Sequence, residues 1–167
     1  NKVPIKIIQK IKKSLKIKIF FIYLNSNEKN KSQKSVDKII NFLLKNNLDA
    51  TYSRAIRNDT GNVIPRFSYY FPKKILIKYK NPYVHGTMLA KKEAIKLVGN
   101  YDEKFIYSQD YKLMKELMVN KFRVRILKQP LYYLNMKGNI SVNNKIEQQY
   151  YADCVRNNQI PNDLAHS

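Results

Sequence analysis

The spacing of apolar residues changes several times along the chain, and each change marks an element. Ile8, Ile11 and Leu15 recur at helical spacing within residues 4–15, and the period breaks at Lys16. Residues 17–24 (IKIFFIYL) form a near-continuous β-branched and aromatic run, which predicts a strand buried on both faces of a parallel sheet. The polar stretch Asn25-Ser26-Asn27-Glu28 follows it. Val36, Ile39, Ile40, Leu43 and Leu44 then take the i, i+3, i+4, i+7, i+8 positions of one buried helix face, with Ser32 or Ser35 to cap it and an end near Asn46-Asn47. A strand-loop-helix unit of this kind puts its loop at the carboxyl edge of an α/β sheet, where such folds bind ligands.

Residues 50–56 read as a further strand, joined through the turn cluster Asn58-Asp59-Thr60-Gly61-Asn62 to Val63-Ile64 as a hairpin. Residues 73–79 and 84–89 are expected to be strands, and residues 93–98 a short helix stopped at Gly99-Asn100. Leu113, Met114, Leu117 and Met118 give residues 110–120 a helical apolar face, with Asp110 in the first turn. Phe122, Val124 and Ile126 alternate with Arg123 and Arg125 as in a half-buried strand, and residues 130–134 continue in extended form. After Gln148 the sequence is polar with little period, so residues 149–167 are expected to form a fraying tail behind a single domain of residues 1–148.

Charge adds less than its size suggests. Lys and Arg number 32 against 12 acidic residues, a formal charge of +20 that attracts any polyanion. Most of it is scattered Lys among Asn and Ile, a compositional bias rather than a cluster of Arg forks and aromatic platforms. With no zinc-ligand spacing, helix-turn-helix signature or aromatic RNA-binding motif, nucleic acid is not an expected partner. The single cysteine, Cys154, forms no internal disulfide and suits a reducing compartment. Lys interrupts every apolar run before the roughly 20 residues of a membrane span, so any membrane contact is expected at the surface.

Three stretches carry a resemblance to a known family. The first runs His85-Gly86-Thr87-Met88-Leu89-Ala90-Lys91-Lys92-Glu93-Ala94, then Val98-Gly99-Asn100-Tyr101-Asp102-Glu103-Lys104-Phe105, then Ser108-Gln109-Asp110-Tyr111-Lys112-Leu113. The second is Phe21 to Glu28 with the Val36–Leu44 pattern behind it, and the third is Leu131-Tyr132-Tyr133-Leu134-Asn135-Met136-Lys137-Gly138-Asn139-Ile140-Ser141. In their order along the chain they resemble the family 2 glycosyltransferases: a "D-x-D" motif after a buried strand, a small-residue strand and a short helix ending in a "VGGYDE-F" segment, an "ED-DL" or "QD-DL" motif opening a helix, and an "LYYYR-H--SIS" segment.

The resemblance implies an α/β GT-A fold, a nucleotide-diphospho-sugar transferase-like, mostly parallel sheet flanked by helices. The family's amino-terminal nucleotide-binding βαβ unit is expected to be missing from this chain. The implied activity is inverting transfer of a sugar from a nucleotide-sugar donor to an acceptor hydroxyl, in surface polysaccharide or glycoconjugate synthesis. Asp110 inherits the role of general base, because a sugar hydroxyl attacks well only as its proton is removed. Taken alone, the same carboxylate is also a helix cap. His85, Gly86, Gln109, Tyr111 and Lys137 are the implied donor- and acceptor-binding residues. For His85 a packed, hydrogen-bonded histidine is the plainer reading, and for Lys137 a solvated surface lysine. The family binds a divalent cation, Mg or Mn, through the motif that here reads Asn25-Ser26-Asn27; two charges are lost there, and hard cations want charged oxygen ligands. The alternative reading is therefore a catalytically impaired, glycosyltransferase-like binding or scaffold protein. The expected partners are a nucleotide sugar, a saccharide or lipid-linked acceptor and an anionic membrane surface, in the cytoplasm and peripheral to the inner face of the plasma membrane.

Overall fold

The computed structural model describes residues 19–20, 33–136 and 144–162. Five strands form one mixed sheet: β1 (Ile19–Phe20), β2 (Ala50–Arg57), β3 (Val63–Ile64), β4 (Leu89–Lys91) and β5 (Val124–Leu134). The helices are α1 (Gln33–Lys45), α2 (Lys73–Leu76), α3 (Lys92–Leu97), α4 (Gln109–Val119) and α5 (Lys145–Asn157), with 3-10 turns at Phe67–Tyr69 and His85–Thr87. β2 is central. β5 runs along one side of it, while β4 pairs with its first residues and β3 with its last on the other side.

The sheet departs from the expected parallel character. Only β2 and β5 are parallel; β1–β4, β2–β4 and β2–β3 are antiparallel. The β2–β3 pair is a hairpin closed at Gly61, whose φ of 66° suits a residue without a Cβ. The β2–β5 ladder shifts register between Ser53 and Ala55, so Arg54 faces Pro130, and a proline without an N–H is tolerated at such an irregularity.

Alternation along the strands gives the sheet two apolar faces. Leu89 packs with Ile40, Leu43 and Leu48 beneath α1. Ala50, Tyr52 and Ala90 turn to the other face, where Phe105, Leu113, Met114, Leu117, Tyr151 and Val155 from α4, α5 and the connecting loop build the main core. The periodic faces read for α1 and α4 are therefore the buried ones.

Three expectations fail. Residues 73–79 are not a strand: Ile77 N–H bonds to the Lys73 carbonyl and Lys80 N–H to that of Leu76, both 2.9 Å, which are helical closures. Within residues 84–89 His85–Thr87 form a 3-10 turn and only Leu89 is in a strand, because Thr87 Oγ1 accepts Ser53 N–H at 3.1 Å and lies 2.8 Å and 3.0 Å from the Val84 and Ser53 carbonyls, replacing a ladder with a side chain. Residues 149–157 of the expected polar tail belong instead to α5, held by Tyr151, Cys154 and Val155 in the core. The expected helix over residues 4–15 and most of the strand over residues 17–24 lie outside the described residues.

Candidate functional site

Asp110 stands in the first turn of α4. The residue that launches the helix, Ser108, has a left-handed backbone (φ 58°), a conformation that costs a non-glycine residue about 1–2 kcal/mol. Its carbonyl accepts the Lys112 N–H at 3.0 Å, and its Oγ lies 3.3 Å from the Gln148 carbonyl of α5. Tyr111 is buried in the core, where its hydroxyl donates to the Ile77 carbonyl at 2.7 Å, and half-buried Asp110 lines, with the edge of Tyr111, a cleft of about 300 Å³.

One carboxylate oxygen of Asp110 is oriented. Asn81 Nδ2 donates to its Oδ2 at 2.7 Å, and Asn81 Oδ1 in turn accepts the Tyr83 N–H at 3.0 Å, which fixes the amide. Around the carboxylate the cleft carries Lys80, Lys145 and Arg156, with Gln148 and Gln149 on the α5 wall. Arg156 is braced by Asp153 and by a 3.2 Å bond to the Tyr79 carbonyl. Three cations line the cleft beside the Asp110 carboxylate, and although Arg156 is already paired with Asp153 the balance there is positive, which favours an anionic group next to a proton acceptor.

Behind Asp110 lies an aromatic floor. Tyr52 and Tyr83 pack at 4.6 Å between ring centroids, and His85 meets Tyr101 edge-on at 6.1 Å. Burial pushes the phenols of Tyr52, Tyr83 and Tyr101 up, and the Asp110 charge raises Tyr52 and Tyr101 further, so all three stay neutral at ordinary pH. Tyr101 Oη and His85 Nδ1 are buried without a hydrogen-bond partner among the described residues.

The sequence-predicted site residues are only partly brought together. Asp110 and Tyr111 border the cleft, although the Tyr111 hydroxyl is committed to the backbone. Gln109 is half-buried and His85 sits behind Tyr101; neither lines the cleft. Gly86 packs against β5, where a Cβ would come within 3.2 Å of the Tyr132 ring. Lys137, Asn25 and Asn27 lie outside the described residues. Asn81, Lys80 and the α5 residues were not anticipated. Asn81-Pro82 signals only a turn, Arg156 belongs to the stretch expected to be a tail, and Lys145 stands just before it without a motif.

Among the described residues no three His, Cys, Asp or Glu side chains converge. The donors around Asp110 are cationic or amide groups, which do not suit a divalent ion at that point. The same described residues contain no helix long and apolar enough to cross a membrane. No protein-family model matches the chain and a search of curated proteins finds no match, so the family resemblance stands on the quoted residues alone.

Proposed function

We propose that the chain is a GT-A-type inverting glycosyltransferase and that Asp110 is its general base. The observation that carries the reading is the Asp110 carboxylate, held through one oxygen by Asn81 and without a hydrogen bond at the other among the described residues, in a cleft walled by Lys80, Lys145 and Arg156. In the transfer, Asp110 takes the acceptor hydroxyl proton as that oxygen bonds to the anomeric carbon of the donor sugar. The bond from that carbon to the diphosphate breaks on the opposite face, and the nucleoside diphosphate leaves with the electron pair. Negative charge grows on the departing diphosphate, and cations fixed beforehand stabilise it without reorganising. Arg156, anchored by Asp153 and the Tyr79 carbonyl, is suited to that task, and the exposed Lys80 and Lys145 add positive charge beside it.

The test is release of nucleoside diphosphate from a panel of uridine- and guanosine-diphosphate sugars by the full chain with oligosaccharide and lipid-linked acceptors. Asp110→Asn keeps the shape and the Asn81 neighbour but removes the base, so turnover is expected to fall about 10²–10⁴-fold with little change in donor KM. Undiminished turnover in Asp110→Asn refutes the assignment. Nucleotide-sugar binding by the parent chain with no turnover on any acceptor favours the non-catalytic scaffold reading, to which the Asn25-Ser26-Asn27 sequence points.

A further inference from the structure

The segment from Arg66 to Lys80 presents large apolar side chains outward. Phe67, Tyr70, Phe71, Ile75 and Tyr79 are between 56% and 74% exposed, whereas single exposed apolar residues are the ordinary case. Four of them recur every fourth residue, and Ile75 and Tyr79 share one side of a helical turn. Arg66, Lys74, Lys78 and Lys80 are exposed among them, and no acidic residue occurs between Asp59 and Glu93.

Looseness does not explain the exposure, because the backbone is pinned from beneath. Lys73 Nζ donates to the carbonyls of Ser68, Tyr69 and Phe71, and Arg54 lies 5.0 Å over the Tyr69 ring. Ile77 is in the core, its carbonyl held by Tyr111, and Arg156 holds the Tyr79 carbonyl. A backbone fixed at so many points holds the intervening Phe, Tyr and Ile side chains outward.

We infer that this segment is a docking surface for an anionic lipid bilayer. Aromatic rings, one aliphatic anchor and snorkelling lysines with no acid among them match the headgroup boundary, where rings sit at the interface and ammonium groups reach anionic phosphates. A protein partner fits less well, since interface cores are depleted in Lys. A single-stranded nucleic acid fits less well too, since Ile75 offers no stacking face and the Phe67 ring already lies under Arg66 at 5.6 Å. The surface ends at Lys80-Asn81, on the lip of the Asp110 cleft. If the proposed transfer holds, on which this last step rests, docking presents the cleft to a lipid-linked acceptor.

The chain contains no Trp, so Phe71→Trp introduces a single reporter. With equimolar phosphatidylcholine–phosphatidylglycerol vesicles, the reporter emission should shift to the blue and be quenched by brominated acyl chains. The full chain should sediment with these vesicles and not with pure phosphatidylcholine. The triple substitution Phe71→Ser, Ile75→Ser, Tyr79→Ser should abolish sedimentation, and Lys74→Gln with Lys78→Gln should weaken it roughly thirtyfold. Asp110→Asn should bind vesicles like the parent, so the outcome is read without reference to turnover. Vesicle binding unchanged in the triple variant, or a reporter that stays solvent-exposed on bound vesicles, overturns the inference. So does tighter binding to single-stranded RNA lost in the same variant, or a concentration-dependent dimer that the variant dissolves in the absence of lipid.

Discussion

Lys115→Met is expected to destabilise the protein by about 2–3 kcal/mol, although it replaces a buried charge with an apolar side chain of similar length. Lys115 lies in the middle of α4 and is only 8% exposed. Its ammonium crosses to α5 and donates to the carbonyls of Val155 and, at 3.0 Å, Arg156, in the last turn of that helix. Those carbonyls have few alternatives: Asn158 N–H reaches Val155 only at 3.4 Å. Hydrogen bonds from a charged donor contribute about 1.5–3 kcal/mol each, so two deletions remove roughly 3–6 kcal/mol. Part of this returns, because burial, and then the neighbouring Lys112 charge, hold the ammonium below the ordinary lysine pKa, a standing cost that methionine does not bear. For a chain of this size the net loss lowers Tm by roughly 4–12 °C.

Calorimetry with amide hydrogen exchange checks the capping argument. Protection should fall most at Asn158 and Gln159, beyond what the global loss explains. The pH dependence supplies a sign. A group with a lowered folded pKa binds fewer protons folded than unfolded, so the parent gains stability as pH rises through that pKa toward the ordinary value of 10.5. The gap between parent and Lys115→Met should therefore widen over that range. A variant as stable as the parent, or a gap that narrows with pH, refutes the claim that α4 caps α5 through this ammonium.

Two other perturbations test the sheet and the turn beside the site. Asp49 is partly buried, which alone raises its pKa, but the Arg123 N–H at 2.9 Å and the Lys91 ammonium at 3.0 Å outweigh burial and hold the carboxyl below its usual value. Its contribution is thus present above the unfolded pKa and lost as pH falls through the folded one; Asp49→Asn should cost about 1–2 kcal/mol at neutral pH in denaturant melts and flatten the acid limb. Gly86→Val should cost about 1–3 kcal/mol and displace the Tyr132 ring, with Gly86→Ala milder, because a Cβ meets that ring at 3.2 Å; an unshifted Tyr132 aromatic NMR signal in Gly86→Val would contradict the packing.

What was legible in the sequence follows from where periodicity is enforced. α1 and α4 each bury a continuous stripe, so Val36 to Leu44 and Leu113 to Met118 reveal them directly. In Lys73 to Lys80 the run Ile-Leu-Ile suggests a strand, yet burial selects Ile77 and leaves Ile75 outside, a choice made by the Lys73 clamp and the Tyr111 bond rather than by local propensity. α5 hides among Gln, Asn and Asp because only Tyr151, Cys154 and Val155 are fully buried in it; the i, i+3, i+4 spacing is present but short. The cleft suffered accordingly. Asp110 was found from its motif and its place at a helix start, whereas Asn81, Lys145 and Arg156 become its neighbours only through packing between segments far apart in sequence.

Asp110 and Tyr111 are consecutive, and one helical turn sends a carboxylate into the cleft and a phenol to the Ile77 carbonyl of the Arg66 to Lys80 segment. Arg156 repeats the pattern from α5, lining the cleft while holding the Tyr79 carbonyl. That segment is therefore not an interchangeable module. A graft, an insertion or a one-residue deletion within it shifts the Ile77 and Tyr79 carbonyls, and the turn carrying Asp110 must follow or give up its bonds. Changes tolerated in this part of the surface are therefore expected to be side-chain substitutions that keep chain length and backbone path.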